Sequence, residues 1–239
     1  MKLSSITRHI PNAITCTSLF LGCVAIVAAI NFDVQFYGME GYKWAYVCIL
    51  LAAVCDFCDG AAARLFHAYS ALGKELDSLS DLVSFGVAPG MLVFSLMSRL
   101  DACPEWLPFV AFYIPVAGEL RLARFNIDDR QTTSFLGMPI PANALFWIGF
   151  TSLAAAGGYS VNPWLCAFLT LIIASLMLAS GFRMFSLKFK NFGLADNYMR
   201  YLLILSAIVS IVLAGIGGLA WTIGCYVLLS AIPTKGGKG

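Results

Sequence analysis

The sequence is poor in charged residues. Of its 239 residues, 12% are Asp, Glu, Lys or Arg, whereas 60% are hydrophobic. Soluble domains carry roughly 25% charged residues, so the composition excludes a soluble globular protein. The net charge is +2 and the basic residues form no stripe, so nucleic-acid binding is not expected. Several apolar runs instead reach the roughly 20 residues that a membrane-spanning helix needs.

Paired cysteine motifs are also scarce. The chain has eight cysteines, and only Cys55 and Cys58 have CxxC spacing. A zinc or redox site would require a second ligand pair or a soluble redox fold, and the sequence shows neither. We therefore interpret the cysteines as small apolar residues within helices.

The apolar runs predict an all-α, polytopic membrane helical bundle with about eight transmembrane helices, six and seven being the alternatives. The last run is about 32 residues long and contains Gly215, Gly217 and Gly218. It is interpreted as two short helices with a tight turn rather than one tilted helix. We expect one membrane-embedded domain, residues 1–233, and a disordered tail, residues 234–239. The basic start of the chain also resembles a signal peptide, but no clear small-residue cleavage site follows.

The positive charges predict the orientation of the bundle. If the N-terminus is cytoplasmic and the helices alternate, only Lys43 and Arg99 lie on the outer side, and the other 13 of the 15 basic residues are cytoplasmic. This bias obeys the positive-inside rule. We predict an integral protein of the bacterial cytoplasmic (inner) membrane, with its functional site facing the cytoplasm.

That site is predicted in the acidic stretch between Asp56 and Asp81. Asp56 and Asp59 are three residues apart, and Asp77 and Asp81 are four apart, so each pair lies on one face of a helix. A short connection between antiparallel helices would bring the pairs together. Clustered carboxylates in apolar surroundings need cations, and hard divalent metals bind carboxylates and substrate phosphates alike. The stretch therefore predicts a metal site for a phosphorylated substrate.

Three residues between these pairs fit the same prediction. Gly60 and Gly73 remove side chains where a nucleotide or its phosphates would approach. Arg64 offers bidentate contacts to phosphate. A set of helix-capping carboxylates is the alternative, but it explains neither the glycines nor the arginine.

The pattern Asp56-x2-Asp59-Gly60-x2-Ala63-Arg64-x8-Gly73-x3-Asp77-x3-Asp81 resembles the signature of the CDP-alcohol phosphatidyltransferase family at every defined position. The resemblance implies a membrane-embedded homodimer that uses Mg²⁺ or Mn²⁺, with two ions, to transfer a phosphatidyl group from a CDP-linked lipid to an alcohol. It also implies roles for single residues. Asp56, Asp59 and Asp77 would bind metal, Asp81 would be the general base and a possible metal ligand, and Gly60, Arg64, Gly73, Asn12 and Thr15 would line the CDP site.

Three further stretches, residues 78–89, 121–126 and 135–141, resemble the serine-using branch of that family. This resemblance implies CDP-diacylglycerol as the donor and L-serine as the acceptor. Four residues are candidates for binding the acceptor or the lipid phosphate: Arg121, Arg124, Asn126 and Ser84. Positive-inside anchoring of the arginines and simple packing of the serine are the alternatives.

Other functions remain open at this point. Glycerol 3-phosphate or inositol phosphate could replace serine as the acceptor. A cation transporter would also place carboxylates in membrane helices. A transporter, however, commonly has polar residues at mid-membrane in several helices and two related halves, and neither pattern occurs in the second half of this sequence.

Overall fold

The computed structural model describes residues 9–127, 135–179, 182–185 and 193–231. Its α-helices are α1 (Ile10–Ile30), α2 (Gly41–Leu65), α3 (Ala71–Asp81), α4 (Ala88–Met97), α5 (Tyr113–Ile127), α6 (Ile140–Ala156), α7 (Pro163–Leu178), α8 (Leu194–Ala214) and α9 (Gly218–Ala231). A π-helical segment, Leu82–Val87, joins α3 to α4, and 3₁₀ segments Leu107–Phe112 and Gly215–Gly217 precede α5 and α9. The predicted tail, residues 234–239, and several of the basic residues used for orientation lie outside the described residues.

Four helical stretches are long and apolar enough to cross a membrane: Ile10–Ile30, Gly41–Leu65, Ala71–Met97 and Asn197–Ala231. Shorter apolar helices, Ile140–Ala156 and Pro163–Leu178, accompany them. The all-α, polytopic membrane prediction is therefore confirmed. The number of crossings and the orientation stay predictions.

Local sequence signals explain where several helices begin. Proline occupies the first turn of α1, α4, α6 and α7, where its missing N–H costs nothing. The Ser70 hydroxyl accepts the backbone N–H of Gly73 and caps α3. The Asn162 side chain likewise accepts the N–H groups of Trp164 and Leu165 at the start of α7. Such caps satisfy donors that a helix start leaves free.

Two small antiparallel sheets were not predicted. Strands β1 (Gln35–Phe36) and β2 (Met39–Glu40) form a hairpin between α1 and α2. Strands β3 (Phe135–Leu136) and β4 (Arg183–Met184) pair the segments that precede α6 and follow α7. Elements of two residues carry no periodicity that a sequence could reveal.

Helices α1 and α2 run antiparallel between the two ends of the bundle. Thr15 of α1 contacts Asp59 of α2 at one end, and the rings of Phe32 and Tyr42 stack 4.9 Å apart at the other. The core between the ends includes fully buried Trp147 and Tyr46. The Tyr46 hydroxyl lies 2.8 Å from Thr151 Oγ1, which links α2 to α6.

The last apolar run forms a hairpin of α8 and α9. The chain turns at Gly215, whose φ of +56° favours glycine. Ser210 Oγ lies 3.0 Å from Thr222 Oγ1 across the hairpin. The preference for two helices over one is therefore confirmed. The hairpin packs on α6 at Gly149, where a Cβ atom would lie 2.2 Å from the backbone nitrogen of Ala220.

At the end of the bundle around Asp33, the charges of Asp33 and Arg99 are paired with each other. The Asp33 carboxylate accepts hydrogen bonds from Arg99 Nε at 2.5 Å and from the Tyr159 hydroxyl at 2.8 Å. The Arg99 guanidinium also lies 4.9 Å from the centre of the Phe32 ring. Burial works to raise the pKa of Asp33, but the hydrogen bonds from Arg99 and Tyr159 outweigh it and hold this pKa below its ordinary value. Burial, followed by the hydrogen bond to Asp33, raises the pKa of Tyr159 to about 12.

Candidate functional site

A cavity of about 650 Å³ lies at the opposite end of the bundle, between α1, α2 and α3. Seven of the residues that the sequence singled out line it: Asn12, Thr15, Asp56, Asp59, Gly60, Gly73 and Asp77. They come from the first turns of α1, the last turns of α2 and the first turns of α3. The antiparallel arrangement of α1 and α2 and the short connection to α3 bring these helix ends together.

Three carboxylates meet in the wall of this cavity. Asp56, Asp59 and Asp77 each place one oxygen so that all three oxygens lie within 4.8 Å of one another. Like charges this close repel, and burial adds to the cost. Carboxylate oxygens are the ligands that hard divalent cations prefer. The donor set therefore fits a metal ion of that class.

Helix α1 orients one of these carboxylates. Asp59 is buried, and its Oδ2 lies 2.5 Å from Thr15 Oγ1, which donates to it. Two serine hydroxyls fix α1 against its neighbours. Ser18 donates to the carbonyl of Ala52 on α2, and Ser80 of α3 donates to the carbonyl of Thr15. Asp59 therefore has its position set by packing as well as by its own helix.

The two predicted glycines play different parts in the geometry. A Cβ atom at Gly60 would meet nothing within 4 Å, so this residue borders open cavity space. A Cβ atom at Gly73 would lie 3.0 Å from Ser70 Oγ and 3.2 Å from Asn12 Oδ1. Gly73 thus permits the close approach of α3 to α1, whereas Gly60 keeps the cavity wide.

Asp81 lies one helical turn beyond Asp77, deeper in the bundle and apart from the residues that line the cavity. Its Oδ1 atom is buried and has no hydrogen-bond partner among the described residues. Arg121 of α5 is close enough to interact electrostatically with Asp81. Asp56 and Asp77 also interact electrostatically with Asp81, so the predicted base is near the carboxylate triad as well as Arg121.

The remaining predicted residues lie elsewhere. Arg64 is exposed, and the described lining of the cavity does not include it. Arg124 Nη1 donates to the carbonyl of Leu178 at 3.3 Å. Fully buried Ser84 donates to the carbonyl of Ser18 at 3.0 Å. Arg124 and Ser84 thus tie helices together in this structure, and their predicted ligand contacts stay predictions.

Asn126 belongs to a small network that joins the end of α5 to α3. Its Nδ2 donates to Ser78 Oγ at 2.9 Å, and its carbonyl accepts from Lys74 Nζ at 2.8 Å. Lys74 also lines the cavity. The network makes Asn126 a link between helices beside the site.

Sequence reasoning missed several residues of the cavity wall, among them Tyr69 and Lys74. Lys74 directly follows Gly73 inside the acidic stretch, so its position in the motif was an available signal. Tyr69 lies in the connection between α2 and α3 and is 74% exposed. No periodicity distinguishes such a residue from any other loop aromatic.

Comparison with known proteins gives a consistent result. The family model described as CDP-alcohol phosphatidyltransferase matches residues 8–180, which include every predicted site residue. The matched region ends before the α8–α9 hairpin.

Several relatives share one name, CDP-diacylglycerol–serine O-phosphatidyltransferase. The protein of that name from Bacillus subtilis (strain 168) is 32% identical over 189 residues, covering 77% of this chain and 92% of the relative. The one from Helicobacter pylori (strain J99 / ATCC 700824) is 38% identical over 143 residues, covering 56% and 54%. The one from Saccharomyces cerevisiae (strain ATCC 204508 / S288c) is 34% identical over 161 residues, covering 62% and 55%.

Proposed function

The chain belongs to the CDP-alcohol phosphatidyltransferase family, and on this premise we propose that it transfers the phosphatidyl group of CDP-diacylglycerol to the hydroxyl group of L-serine. The products would be phosphatidylserine and CMP. The observation that carries the proposal is the carboxylate triad in the cavity wall, formed by residues of the family signature. The shared name of the relatives supports serine as the acceptor.

We propose Mg²⁺ or Mn²⁺ as the cofactor, with two ions. Asp56, Asp59 and Asp77 would hold the metal, with Asp81 as a further ligand or a neighbour. A bound divalent cation would neutralise the diphosphate of the donor and stabilise the departing phosphate of CMP. These carboxylates would orient such a cation, because α1, α2 and α3 fix their positions.

The other predicted residues bind the donor or transfer the proton. Asn12, Thr15, Gly60 and Gly73 surround the space for the nucleotide, and Arg64 contacts a donor phosphate. Asp81 takes the proton of the serine hydroxyl. The serine oxygen then forms a bond to the lipid-linked phosphorus, and the bond from this phosphorus to the oxygen of CMP breaks.

The location of the cavity suits both substrates. It lies at one end of apolar helices, where a lipid headgroup and a soluble alcohol can meet. We propose that this end faces the cytoplasm, that the membrane is the bacterial cytoplasmic membrane, and that the protein works as a homodimer. Cysteine accessibility labelling of the two ends in intact cells and in inverted vesicles tests the orientation, and labelling of the cavity end in intact cells alone would contradict it.

The acceptor is tested with membranes that contain the protein. They are supplied with CDP-diacylglycerol, Mn²⁺ or Mg²⁺, and one labelled acceptor at a time: L-serine, glycerol 3-phosphate or inositol phosphate. We expect labelled phosphatidylserine and an equal amount of CMP with serine only. A lipid product from glycerol 3-phosphate but not from serine would contradict the proposed acceptor.

The base is tested by Asp81→Asn. A positioned general base contributes about 10²- to 10⁴-fold to the rate, so turnover should fall within that range while donor binding persists. Turnover near the wild-type value would remove Asp81 from this role.

A further inference from the structure

We propose that Arg121 binds the carboxylate group of the acceptor and thereby selects an amino acid over an amino alcohol. The inference deepens the proposed function and rests on it. Serine differs from ethanolamine by its carboxylate group, and the inference is that Arg121 recognises this group.

Arg121 is a buried cation that has no ion-pair partner among the described residues. It is 8% exposed, and it forms no hydrogen bond or ion pair with any described residue. Its Nε atom is fully enclosed, and its guanidinium carbon lies 5.9 Å from the centre of the Phe125 ring. A guanidinium has five N–H donors, and a buried charge without partners is very costly. This cost is offset once an anion enters.

Packing of α5 places Arg121 at the level of Asp81. One turn before it, a Cβ atom at Gly118 would touch the Ile140 side chain at 2.7 Å and lie 3.9 Å from Leu82 Cδ1. After it, Asn126 bonds to Ser78. Because α5 packs along the end of α3 and the π-helical segment between these two contacts, Arg121 lies at the level of residues 78–82.

Two groups of opposite charge are therefore near enough to interact, and each has a buried atom without a partner among the described residues. Asp81 Oδ1 and Arg121 Nε are buried, and neither has a hydrogen-bond partner within the described ranges. If Arg121 served only to neutralise Asp81, their atoms would be expected within 4.0 Å, and no such ion pair is present in the described part of the chain. A ligand with both a donor for Asp81 and an anion for Arg121 completes the pair.

Serine has these two groups on one small molecule. Its hydroxyl can donate to Asp81 while its carboxylate accepts two parallel hydrogen bonds from the guanidinium. A donor phosphate is a less suitable partner, because the carboxylate triad is in the cavity wall, and Arg121 is absent from the described lining of that cavity. The geometry therefore points to a carboxylate beside Asp81.

The experiment compares Arg121→Gln with the wild type in membranes, using L-serine and ethanolamine as acceptors. Wild-type synthesis of phosphatidylserine is measured first, and its absence would contradict the proposed function itself. Loss of a charge-assisted pair should raise the KM for serine about 10- to 100-fold and leave the KM for CDP-diacylglycerol within about twofold. The preference for serine over ethanolamine should fall by the same factor as the serine KM rises, and Arg121→Lys should restore part of it.

A second measurement needs no variant. Serinamide keeps the hydroxyl and amino groups of serine but lacks the negative charge, so it should compete with serine in the wild type at least about tenfold more weakly than D-serine or another carboxylate analogue. Equal competition would overturn the proposal, even if Arg121→Gln failed to fold.

Three other outcomes would also overturn it. A raised KM for CDP-diacylglycerol with an unchanged KM for serine would assign Arg121 to the donor phosphate. An equal fall in kcat with both acceptors at unchanged selectivity would make it a support for Asp81. A serine KM raised as much by Lys43→Gln, which removes the same charge from the opposite end of the bundle, would show a general effect of positive charge.

Discussion

The two ends of the bundle treat charge in opposite ways. At one end, Asp33 is bound by Arg99 and Tyr159, and its charge is balanced within the protein. At the other, three carboxylates lie within 4.8 Å of one another, and buried atoms of Asp81 and Arg121 have no partner in the described residues. The charges around Asp33 are thus paired within the protein and stabilise the fold. The charges at the other end are buried without partners, which costs free energy, and they indicate where ligands bind.

The largest loss of activity is expected when a carboxylate of the triad is removed. Asp77→Asn should lower activity about 10³-fold or more, because several kcal/mol of charge stabilisation by the bound cation would be lost. The same change should raise the melting temperature of the metal-free protein, since it removes repulsion from Asp56 and Asp59. Phosphatidylserine synthesis and thermal unfolding in detergent measure the two effects.

Metal removal is the matched control for this variant. Chelation by EDTA should abolish the wild-type activity, and added Mg²⁺ or Mn²⁺ should restore it. Full activity after exhaustive chelation would show that the carboxylates have a purpose other than metal binding.

Gly60 allows function and stability to be measured separately in one variant. A Cβ atom there meets no other atom within 4 Å, and alanine is favoured over glycine inside a helix by about 1 kcal/mol. Gly60→Ala should therefore raise the melting temperature while it increases the KM for CDP-diacylglycerol several-fold by narrowing the cavity. Gly224→Ala, at another helical glycine with open space, should give the stability gain alone. A KM that Gly60→Ala leaves unchanged would place the donor elsewhere.

At the end of the bundle with Asp33, Arg99 and Tyr159, a substitution should have a smaller effect, and this effect should be on the stability of the fold. Arg99→Gln removes the bond to Asp33 and the contact with Phe32, which together stabilise the fold by roughly 1 kcal/mol after allowance for the exposure of Asp33. Thermal unfolding in detergent should show a lower melting temperature, with the KM for serine unchanged. Lys43→Gln, which breaks the exposed ion pair with Glu40 at the same end, should lower it less. A changed serine KM in Arg99→Gln would mean that this end contributes to the site.

The smallest expected effect is a pH dependence at the same cluster. The pKa of Asp33 is lowered on folding, so its contribution to stability is present above its unfolded pKa and is lost as the pH falls through the folded value. The stability difference between the wild type and Asp33→Asn should therefore narrow below about pH 3.8. Melting temperatures of both proteins between pH 3 and 7 would test this, and a difference independent of pH would contradict it.

The triad was predictable because its information is local. Spacings of three and four residues define helix faces, and a short connection brings consecutive helices together. The partners of Ser84 and Asn126 were not predictable, because the same polar residue can bind a ligand or a distant helix, and Ser18 and Ser78 are far from either in the sequence. The π-helical segment after Asp81 likewise depends on how α3 and α4 pack against α1 and α5, which no periodicity in the sequence records.

Apolar side chains lie exposed beside the cavity. Phe57 and Leu72 are exposed next to residues that line it, and Tyr69 in the cavity wall is exposed as well. A donor that enters between such side chains keeps its acyl chains in the bilayer. Only its headgroup moves from the membrane interface into the cavity. The concentration that governs its binding is then a mole fraction within the membrane, so diluting the donor with inert lipid should slow the enzyme even when the bulk amount of donor is constant.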